Sequence, residues 1–356
     1  MSIEVKALSE AQRGHCPTEY SFGTGFSDHM FTQAYDGGRG WHNAEIRPFE
    51  NLSLSPAAAV LHYSQEIFEG LKAYRRKDGG INLFRPEANA ARFNRSADRM
   101  VMPRVDAEFH VEAMKQLVRL DGSWVPSDEG SSLYIRPAMI ATSAKLGLGA
   151  AAAYLHFIIT GPAGPYYAQG FNPVSVYISD HCRRAVKGGV GEAKTGGNYA
   201  ASLFVSEEMA KKGYTQVLWL DAIEGRYVEE VGAMNICFVY EGGLIRTPEL
   251  SGSILPGITR DSLLKLAPKL GYEIEEARLD IHEVLADIEN GKITEVFGCG
   301  TAAVVSPVGL LVMHDKEYEI NDNQTGPVAQ RLFDELMAIQ YGDSEDLFGW
   351  VVPVEA

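Results

Sequence analysis

Short apolar runs alternate with polar segments along this chain, and their spacing changes repeatedly between a strand-like and a helix-like period. Apolar residues three and four apart predict helices. The predicted helices cover residues 56–61, 86–100, 106–121, 200–212, 256–270, 281–290 and 327–341. Runs rich in β-branched and aromatic residues predict strands. The predicted strands include residues 41–46, 81–84, 133–137, 154–160, 174–178, 216–220, 227–232, 235–240, 272–279 and 293–297, and the mixture predicts an α/β (α+β) fold.

Glycine and proline interrupt this pattern most strongly at residues 161–170, which contain two prolines and three glycines. Such a segment cannot continue a helix or a strand. A chain of 356 residues also exceeds one typical hydrophobic core. We therefore predict an N-terminal domain over 1–165, a linker with the first strand of the next domain over 166–180, and a second domain over 181–356.

Composition and charge argue against several classes of protein. The net charge of −15 argues against nonspecific nucleic-acid binding, which depends on lysine and arginine neutralising phosphates. No apolar run approaches the roughly 20 residues of a membrane span, and residues 1–6 lack the apolar stretch of a signal peptide. The four cysteines form no Cys-x-x-Cys pair, and the histidines have no metal-ligand spacing. We expect a cytoplasmic protein with no metal site, no membrane span and no nucleic-acid partner.

The segment 188–199 carries one lysine, Lys194, among five glycines. A lysine amine that loses its proton on desolvation can form a Schiff base with an aldehyde. The segment could equally be a flexible loop with a solvated lysine. A third possibility is the phosphate loop of nucleotide hydrolases, but Ala193 replaces its glycine, residues 181–184 make a poor strand, and Gly196-Gly197 is expected to interrupt a helix rather than begin one.

Two further glycine-broken segments, 256–259 and 298–302, expose backbone N–H groups that could hold a phosphate. Thr259 and Thr301 add hydroxyl groups, and Arg92 is a conventional cationic partner for a phosphate. A reactive lysine, an anion cradle and a carboxylate together match pyridoxal 5'-phosphate, which has an aldehyde, a phosphate and a ring nitrogen that an acid can keep protonated.

From Phe22 to Tyr341 the sequence resembles the branched-chain amino-acid aminotransferases, which are pyridoxal-phosphate enzymes of fold type IV. The motifs that carry this resemblance are Phe-Ser-Asp-His-Met at 26–30, Phe-Glu-Gly-Leu-Lys-Ala at 68–73, Leu-Phe-Arg-Pro at 83–86, Leu-Tyr-Ile-Arg-Pro at 133–137, the lysine segment, Gln-Val-Leu-Trp-Leu at 216–220, Glu-Val-Gly-Ala-Met-Asn at 230–235, Ile-Leu-Pro-Gly at 254–257 and Phe-Gly-x-Gly-Thr-Ala at 297–302. The resemblance implies a smaller N-terminal α/β domain, a larger C-terminal pseudo-barrel domain, and a cofactor between them.

The resemblance also implies roles for the cofactor-binding residues. Lys194 would form the Schiff base and later move the proton. Glu230 would pair with the pyridine nitrogen, and Tyr199 would donate to the phenolic oxygen. The residues implied to hold the phosphate are Arg92, Ile258, Thr259 and Thr301, with Ile258 and Thr259 acting through their N–H groups.

For the substrate, the resemblance implies transfer of the amino group of leucine, isoleucine or valine to 2-oxoglutarate, giving L-glutamate, in a homodimer. The implied wall of the apolar pocket is Phe22, Tyr63, Tyr134 and Tyr166, with Tyr63 reaching in from its own or a partner subunit. Arg136, with the backbone at Thr301 and Ala302, would bind the substrate carboxylates.

The chain departs from the family pattern at two places. Ala303 and Ser306 stand where mammalian members carry a Cys-x-x-Cys switch, so thiol regulation at that position is not expected. Ala233 replaces a threonine of some members, which removes one hydroxyl near the phosphate.

A D-amino-acid aminotransferase or an aminodeoxychorismate lyase would keep the fold and change the reaction, although those chains are usually shorter.

Overall fold

A computed structural model describes residues 2–164 and 170–355. Its α-helices are α1 (Ala59–Tyr63), α2 (Pro86–Arg99), α3 (Ala107–Leu120), α4 (Gly196–Lys211), α5 (Ile258–Leu266), α6 (Ile281–Glu289) and α7 (Pro327–Tyr341). Its strands are β1 (Glu4–Val5), β2 (His29–Asp36), β3 (Gly40–Pro48), β4 (Glu66–Phe68), β5 (Leu71–Arg75), β6 (Ile81–Phe84), β7 (Ser132–Ala141), β8 (Ala153–Ala163), β9 (Val174–Ser179), β10 (Gln216–Leu220), β11 (Val228–Val231), β12 (Asn235–Tyr240), β13 (Ile245–Pro248), β14 (Ile274–Ala277), β15 (Ile293–Gly300), β16 (Val304–Met313), β17 (Lys316–Glu319) and β18 (Val351–Val354). None of these helices has the length and apolar content needed to span a membrane.

The chain forms two compact units. Unit 1 contains residues 1–166, 193–196 and 338–356, and unit 2 contains residues 167–192 and 197–337. The first division falls within the glycine- and proline-rich segment 161–170. The expectation that this segment cannot continue a strand is wrong for its first residues, because β8 extends through Gly161 and Pro162 to Ala163. Two segments that the sequence assigned to the C-terminal domain belong to unit 1 instead, which makes unit 1 the longer of the two. Residues 193–196 are hydrogen-bonded to β4, and β18 pairs with β6.

Unit 1 is built on a sheet with the strand order β1-β3-β2-β8-β7-β5-β6-β18, in which β4 also pairs with β7. All pairs except β1 with β3 are antiparallel. Side chains of an antiparallel strand alternate between the two faces of the sheet. One face of the central strands is apolar and packs against α2 and α3, so this face forms the core of unit 1. Residues of that core include Leu71, Ala73, Ala90, Met114, Leu117, Leu133 and Ile135.

Two histidines are buried in unit 1 without a hydrogen-bond partner. His110 on α3 and His156 on β8 stack with ring centroids 4.9 Å apart. None of their four ring nitrogens has a hydrogen-bond partner within the described residues. Phe93 packs against both rings. Burial lowers the pKa of His110 to about 4 and lowers the pKa of His156 well below its usual value, so both rings are neutral at neutral pH.

We expect this histidine pair to make the fold sensitive to acid. In the unfolded chain both histidines bind protons below pH about 6.5, whereas in the folded chain His110 resists protonation until about pH 4 and the pKa of His156 is lowered well below its usual value. The free energy of unfolding should therefore fall as the pH drops from about 6.5 towards 4, by roughly 1.4 kcal/mol per pH unit for each histidine. Urea unfolding between pH 7.5 and 4.5 should show a smaller decline for His110→Leu/His156→Leu than for wild type. The exposed His282 provides a control, since His282→Gln should keep the wild-type slope. A double variant with the same slope as wild type would contradict the expectation.

A third buried histidine, His29, belongs to a cluster with Asp28 and Asp121 that has the composition of a metal site. Its Nδ1 lies 2.6 Å from Asp121 Oδ1, and its Nε2 accepts the Leu8 N–H at 2.9 Å. The Asp28 carboxylate accepts the Gly14 N–H. Both ring nitrogens are thus engaged within the chain, and the cluster ties the N-terminal segment to β2.

Unit 2 is built on a second sheet, with the order β11-β10-β9-β16-β15-β12-β13-β14 and β17 paired to β16. The pairs β9 with β10, β9 with β16, and β13 with β14 are parallel, and the remaining pairs are antiparallel. The amphipathic helix α6 buries its apolar stripe against this sheet. The core includes Leu218, Phe238, Ile281, Val284, Leu285, Val296 and Leu311.

One expectation about unit 2 is wrong, and one long strand was missed. The glycine-rich residues 297–303 are not a continuous loop, because β15 runs to Gly300 before the chain turns. A Cβ at Gly298 would lie 2.9 Å from Met234 Cε and 3.1 Å from Val231 Cγ1, so both side chains would have to shift to admit one. The long strand β16 was not predicted, because Pro307 and Gly309 interrupt its apolar pattern.

Candidate active site

Lys194 lies in an irregular segment that is fixed against unit 1 through its backbone. The Lys194 N–H donates to Ser96 Oγ at 2.9 Å, and the Phe68 N–H donates to the Lys194 carbonyl at 3.0 Å. Thr195 Oγ1 donates to the Glu66 carbonyl at 2.7 Å. The Lys194 amine lies 4.8 Å from the centre of the Phe68 ring. The lysine is therefore held in one place, and the alternative of a flexible, solvated loop is not supported.

The prediction that Gly196 and Gly197 interrupt a helix is wrong, because α4 begins at Gly196. The Gly196 N–H donates to Glu66 Oε1, and a Cβ at Gly196 would lie 2.2 Å from that oxygen. The glycine is required by this close approach of the carboxylate. A phosphate loop would still need a strand directly before the lysine, and residues 180–195 between β9 and α4 are irregular.

Lys194 faces one surface of the unit 1 sheet, which we call the Phe68 face. Antiparallel partners carry their side chains on the same side of a sheet. The register pairs Phe68 with Ala138 and Lys72 with Tyr134. Arg136 lies two residues from each of these β7 partners and therefore shares their face. The ring of Phe22 packs edge-on against Tyr134 at a centroid distance of 4.9 Å.

Arg136 presents an unpaired cation on the Phe68 face. Its Nη2 donates to the Tyr134 hydroxyl at 3.1 Å, and its guanidinium lies 4.8 Å from the centre of the Phe68 ring. Its Nε has no hydrogen-bond partner in the part of the chain that the structure describes. A guanidinium that stacks on aromatic rings and keeps unused N–H groups is suited to bind a carboxylate. The sequence-predicted residues Phe22, Tyr134 and Arg136 are thus brought together with Lys194.

Lys72 is a residue of this face that sequence reasoning missed. It lies on β5 opposite Tyr134, with only 6% of its surface exposed. Burial lowers the pKa of Lys72 to about 8. Lysine is rarely buried so completely. The sequence did contain a signal for Lys72. It lies within the Phe-Glu-Gly-Leu-Lys-Ala motif, in a strand whose other residues are mostly apolar.

Replacing Lys72 by methionine is expected to stabilise the protein. At pH 7 the amine is charged in both the folded and the unfolded chain, and its lowered pKa, from 10.5 to about 8, means that the fold carries a desolvation cost of roughly 3 kcal/mol. This cost declines as the pH rises from 8 to 10.5, so wild-type stability should rise over that range. Lys72→Met should gain about 2–3 kcal/mol at pH 7 in urea unfolding and should lose the rise. The exposed Lys212→Met is the control, and a Lys72→Met protein less stable than wild type at pH 7 would refute the expectation.

Arg92 lies on α2 and pairs with Glu69 in the interior of unit 1. Arg92 Nε and Nη2 lie 2.7 and 2.8 Å from the two carboxylate oxygens of Glu69, and Asn89 donates to the same carboxylate. Burial alone would raise the pKa of Glu69, but the charges of Arg92 and Lys194 and the hydrogen bonds hold it below its usual value. Glu69 thus fixes the guanidinium of Arg92. A role of Arg92 in phosphate binding stays a prediction.

Glu230 is a buried acid of unit 2 whose two carboxylate oxygens both have partners. It lies on β11 with 3% of its surface exposed. Its Oε1 accepts the Leu255 N–H at 2.9 Å and lies 3.4 Å from Asn235 Nδ2. Its Oε2 lies 2.8 Å from Arg184 Nε, and that arginine side chain is only 7% exposed. The Arg184 guanidinium and the Glu230 carboxylate thus form a buried ion pair.

Asn235 links Glu230 to the start of α5. Its Nδ2 also donates to the Leu255 carbonyl at 3.0 Å. Its Oδ1 would lie 1.9 Å from a Cβ at Gly257, so this position, the residue before the helix, requires glycine. Ile258 and Thr259 are the first two residues of α5, at the positive end of its dipole. Anions bind readily at such a helix start.

The remaining predicted residues occupy several places. Thr301 and Ala302 form the turn that follows β15, and Tyr199 lies in the first turn of α4. The Tyr63 hydroxyl donates to the Leu146 carbonyl, at the exposed end of α1. Tyr166 lies outside the described residues. Sequence reasoning missed Arg184 and Asn235, whose importance comes from their contacts with Glu230.

Each unit, taken by itself, carries groups that match part of pyridoxal phosphate. Unit 1 carries a fixed primary amine, Lys194, which suits an aldehyde. Unit 2 carries a buried carboxylate, Glu230, which is paired with Arg184 and suits a protonated ring nitrogen. Unit 2 also supplies the start of α5 for a phosphate. The residues therefore fit this cofactor.

Comparisons with known proteins agree with this donor set. The family model described as amino-transferase class IV matches residues 66–311. The probable branched-chain-amino-acid aminotransferase of Staphylococcus aureus strain N315 is 51% identical, with 99% of this chain and 98% of the relative covered. Branched-chain-amino-acid aminotransferase 2 of Bacillus subtilis is 46% identical, covering 100% of this chain and 98% of the relative.

Among solved structures, the T.th. branched-chain amino acid aminotransferase with pyridoxamine 5'-phosphate superposes with a TM-score of 0.75. It is 30% identical, and the match covers 91% of this chain and 98% of the other. These matches confirm the fold type and the resemblance indicated by the sequence motifs. The chain belongs to the class IV aminotransferase family.

Proposed function

We propose that this chain transfers the amino group of L-leucine, L-isoleucine or L-valine to 2-oxoglutarate, with pyridoxal phosphate as its cofactor. The observation that carries the proposal is the Phe68 face of unit 1. Aromatic rings of Phe22, Phe68 and Tyr134 lie there beside the guanidinium of Arg136 and the amine of Lys194. Aromatic rings suit a branched apolar side chain, and an unpaired guanidinium suits the second carboxylate of glutamate.

The full-length similarity to relatives named as branched-chain aminotransferases supports the same substrates. The pyridoxamine phosphate bound in a related structure supports the cofactor. Fold type IV enzymes that act on D-amino acids or aminodeoxychorismate are less well supported. A nucleotide hydrolase is not supported, because the residues directly before the lysine are irregular rather than a strand.

In the proposed chemistry, Lys194 and Glu230 are the two residues that handle protons. Pyridoxal phosphate, when bound, supplies an aldehyde that bonds the amino group and a ring that withdraws electrons from Cα. With the cofactor bound, Lys194 Nζ would accept the Cα proton of the amino acid and later return it. Glu230, which is paired with Arg184, would hold the proton on the ring nitrogen. Tyr199 would donate a hydrogen bond to the phenolic oxygen.

The phosphate would be held by the N–H groups of Ile258 and Thr259, by Thr301, and by Arg92. Arg136 and the backbone of Thr301 and Ala302 would bind substrate carboxylates. Because the same residues must accept an apolar and an acidic side chain in alternate half-reactions, specificity rests on small differences of about 1–3 kcal/mol per methylene group. No ranking among leucine, isoleucine and valine follows from these residues.

The proposal is tested by an amino-donor screen with the holoenzyme. Glutamate should form from 2-oxoglutarate with L-leucine, L-isoleucine and L-valine. The protein should be yellow, and borohydride should bleach the band and label Lys194 in a peptide map. Turnover of D-alanine without turnover of L-leucine would overturn the substrate assignment, and a colourless protein that hydrolyses ATP with magnesium would overturn the cofactor assignment.

The homodimer is also part of the proposal. Leu61, Tyr63, Leu146 and Leu148 are exposed apolar side chains of unit 1, and the contact of Tyr63 with the Leu146 carbonyl joins α1 to residues 142–150. Exposed apolar groups of this kind favour association with a second copy. Light scattering of the purified protein should give twice the mass of the chain, and a monomer at micromolar concentration would contradict the proposal. The cytoplasmic location stays a prediction.

A further inference from the structure

Glu66 places a carboxylate on the Phe68 face for which the proposed function has no role. It lies on β4 opposite Ile140, two residues before Phe68. The alternation of side chains puts Glu66, Phe68 and Arg136 on the same side of the sheet, with Phe68 between the two charged residues along the strand direction. Glu66 therefore belongs to the surface that Lys194 and Arg136 occupy.

The carboxylate of Glu66 is held in one orientation by the lysine segment. Glu66 Oε1 accepts the Gly196 N–H, and the backbone carbonyl of Glu66 accepts the hydroxyl of Thr195. The carboxylate sits where a Cβ of residue 196 would be, so its position depends on the absence of a side chain there. Unlike an exposed glutamate, it cannot turn freely towards a nearby cation.

Glu66 and Arg136 interact electrostatically without forming a contact ion pair. Burial raises the pKa of Glu66, and the Gly196 N–H and the charge of Arg136 oppose that rise. Arg136 contacts Tyr134 and Phe68, and no carboxylate oxygen lies within ion-pair distance of it in the described ranges 2–164 and 170–355. The guanidinium thus keeps its N–H groups for a ligand while its positive potential is reduced by a fixed negative charge.

We propose that Glu66 determines the balance between acidic and branched apolar substrates by reducing the attraction of Arg136 for a second carboxylate. The proposal rests on the proposed function, since it concerns the two side chains that this reaction exchanges. Without Glu66, an arginine on an aromatic surface would bind the dicarboxylate far more tightly than the branched-chain acid. The enzyme would then be occupied by one substrate of the pair.

Replacing Glu66 by glutamine removes the charge and keeps an oxygen that can accept the Gly196 N–H. For Glu66→Gln we expect the KM for 2-oxoglutarate and the Kd for glutarate to fall by about threefold to tenfold, as a unit charge some distance from Arg136 would predict. The KM for 4-methyl-2-oxopentanoate, the Kd for 4-methylpentanoate and kcat should stay within about twofold, because those ligands carry no second carboxylate. The Kd values, from titration calorimetry on the holoenzyme, are independent of turnover.

Three further variants make the test specific. Glu66→Asp keeps the charge and should keep the wild-type ratio of the two Kd values. Glu66→Ser is a second neutral variant, which should shift the ratio as Glu66→Gln does and replaces it if the amide does not fold. Glu87→Gln removes an exposed charge from α2 and should change neither Kd.

The outcomes separate the inference from the function on which it rests. Equal changes in the Kd of glutarate and 4-methylpentanoate would show that Glu66 only supports the fold of the lysine segment, and would overturn the inference. An unchanged ratio in both neutral variants would overturn it as well. A wild-type holoenzyme that turns over neither 2-oxo acid would instead refute the proposed function.

Discussion

Replacing Lys194 by alanine is expected to lower the rate of transamination by roughly 10³-fold or more, since the variant lacks the amine that moves the Cα proton. The fold should survive, because the segment is held through the backbone of Lys194 and the side chain of Thr195. Single-turnover absorbance with L-leucine measures the loss directly. Borohydride should no longer attach the cofactor to the peptide that contains residue 194.

The matched control is Lys187→Ala, which removes an exposed lysine from the same glycine-rich region. It should keep the rate within about twofold, as expected for a surface substitution away from the site. Added methylamine can supply a small free base, so partial recovery of the Lys194→Ala rate would identify proton transfer as the missing step. A Lys194→Ala protein with wild-type turnover would refute the assignment of this lysine.

The second large effect is expected at Glu230. Glu230→Gln removes the negative charge from a site where Arg184 stays buried, and breaking one partner of such a pair costs roughly 3–5 kcal/mol. The variant should therefore lose this amount in urea unfolding. It should also lose roughly 10²-fold or more in kcat, because a neutral amide cannot hold the proton on the ring nitrogen as a carboxylate does.

A double variant separates the two effects of this residue. In Arg184→Gln/Glu230→Gln neither charge is left alone, so most of the lost stability should return. The loss in kcat should remain, since the ring nitrogen still lacks its anionic partner. If the double variant recovers activity as well as stability, Glu230 acts only through the packing of unit 2, and its role in the chemistry is refuted.

Elements with a strong local pattern were predictable from the sequence. Helix α2 begins at the predicted Pro86, where the missing N–H and fixed φ suit a helix start, and its buried Ala90, Phe93 and Ala97 recur at helical spacing. Strands β10 and β12 consist mainly of apolar or β-branched residues and lie where they were predicted. Strand β18 was missed, because it is short, contains Pro353 and pairs with β6, which is distant in the sequence.

The same distinction applies to the candidate site. The glycines around Lys194 indicated a special backbone, and the motifs around Tyr134, Arg136 and Glu230 indicated the family. The sequence did not show which residues contact and orient the charged groups of the site. Arg184 lies far before Glu230 in the chain, and Glu66 is joined to Gly196 only by the fold. Contacts of this kind leave no periodicity and no local spacing.

The pairing of β18 with β6 has a consequence for biosynthesis. Residues 351–354 leave the ribosome long after β6, so the nascent sheet of unit 1 has an open margin throughout the synthesis of unit 2. An edge strand whose backbone N–H and C=O groups lack partners tends to associate with other chains. The hydrogen bonds that close this margin are made by a strand that is translated after the whole of unit 2, so the margin stays open until then.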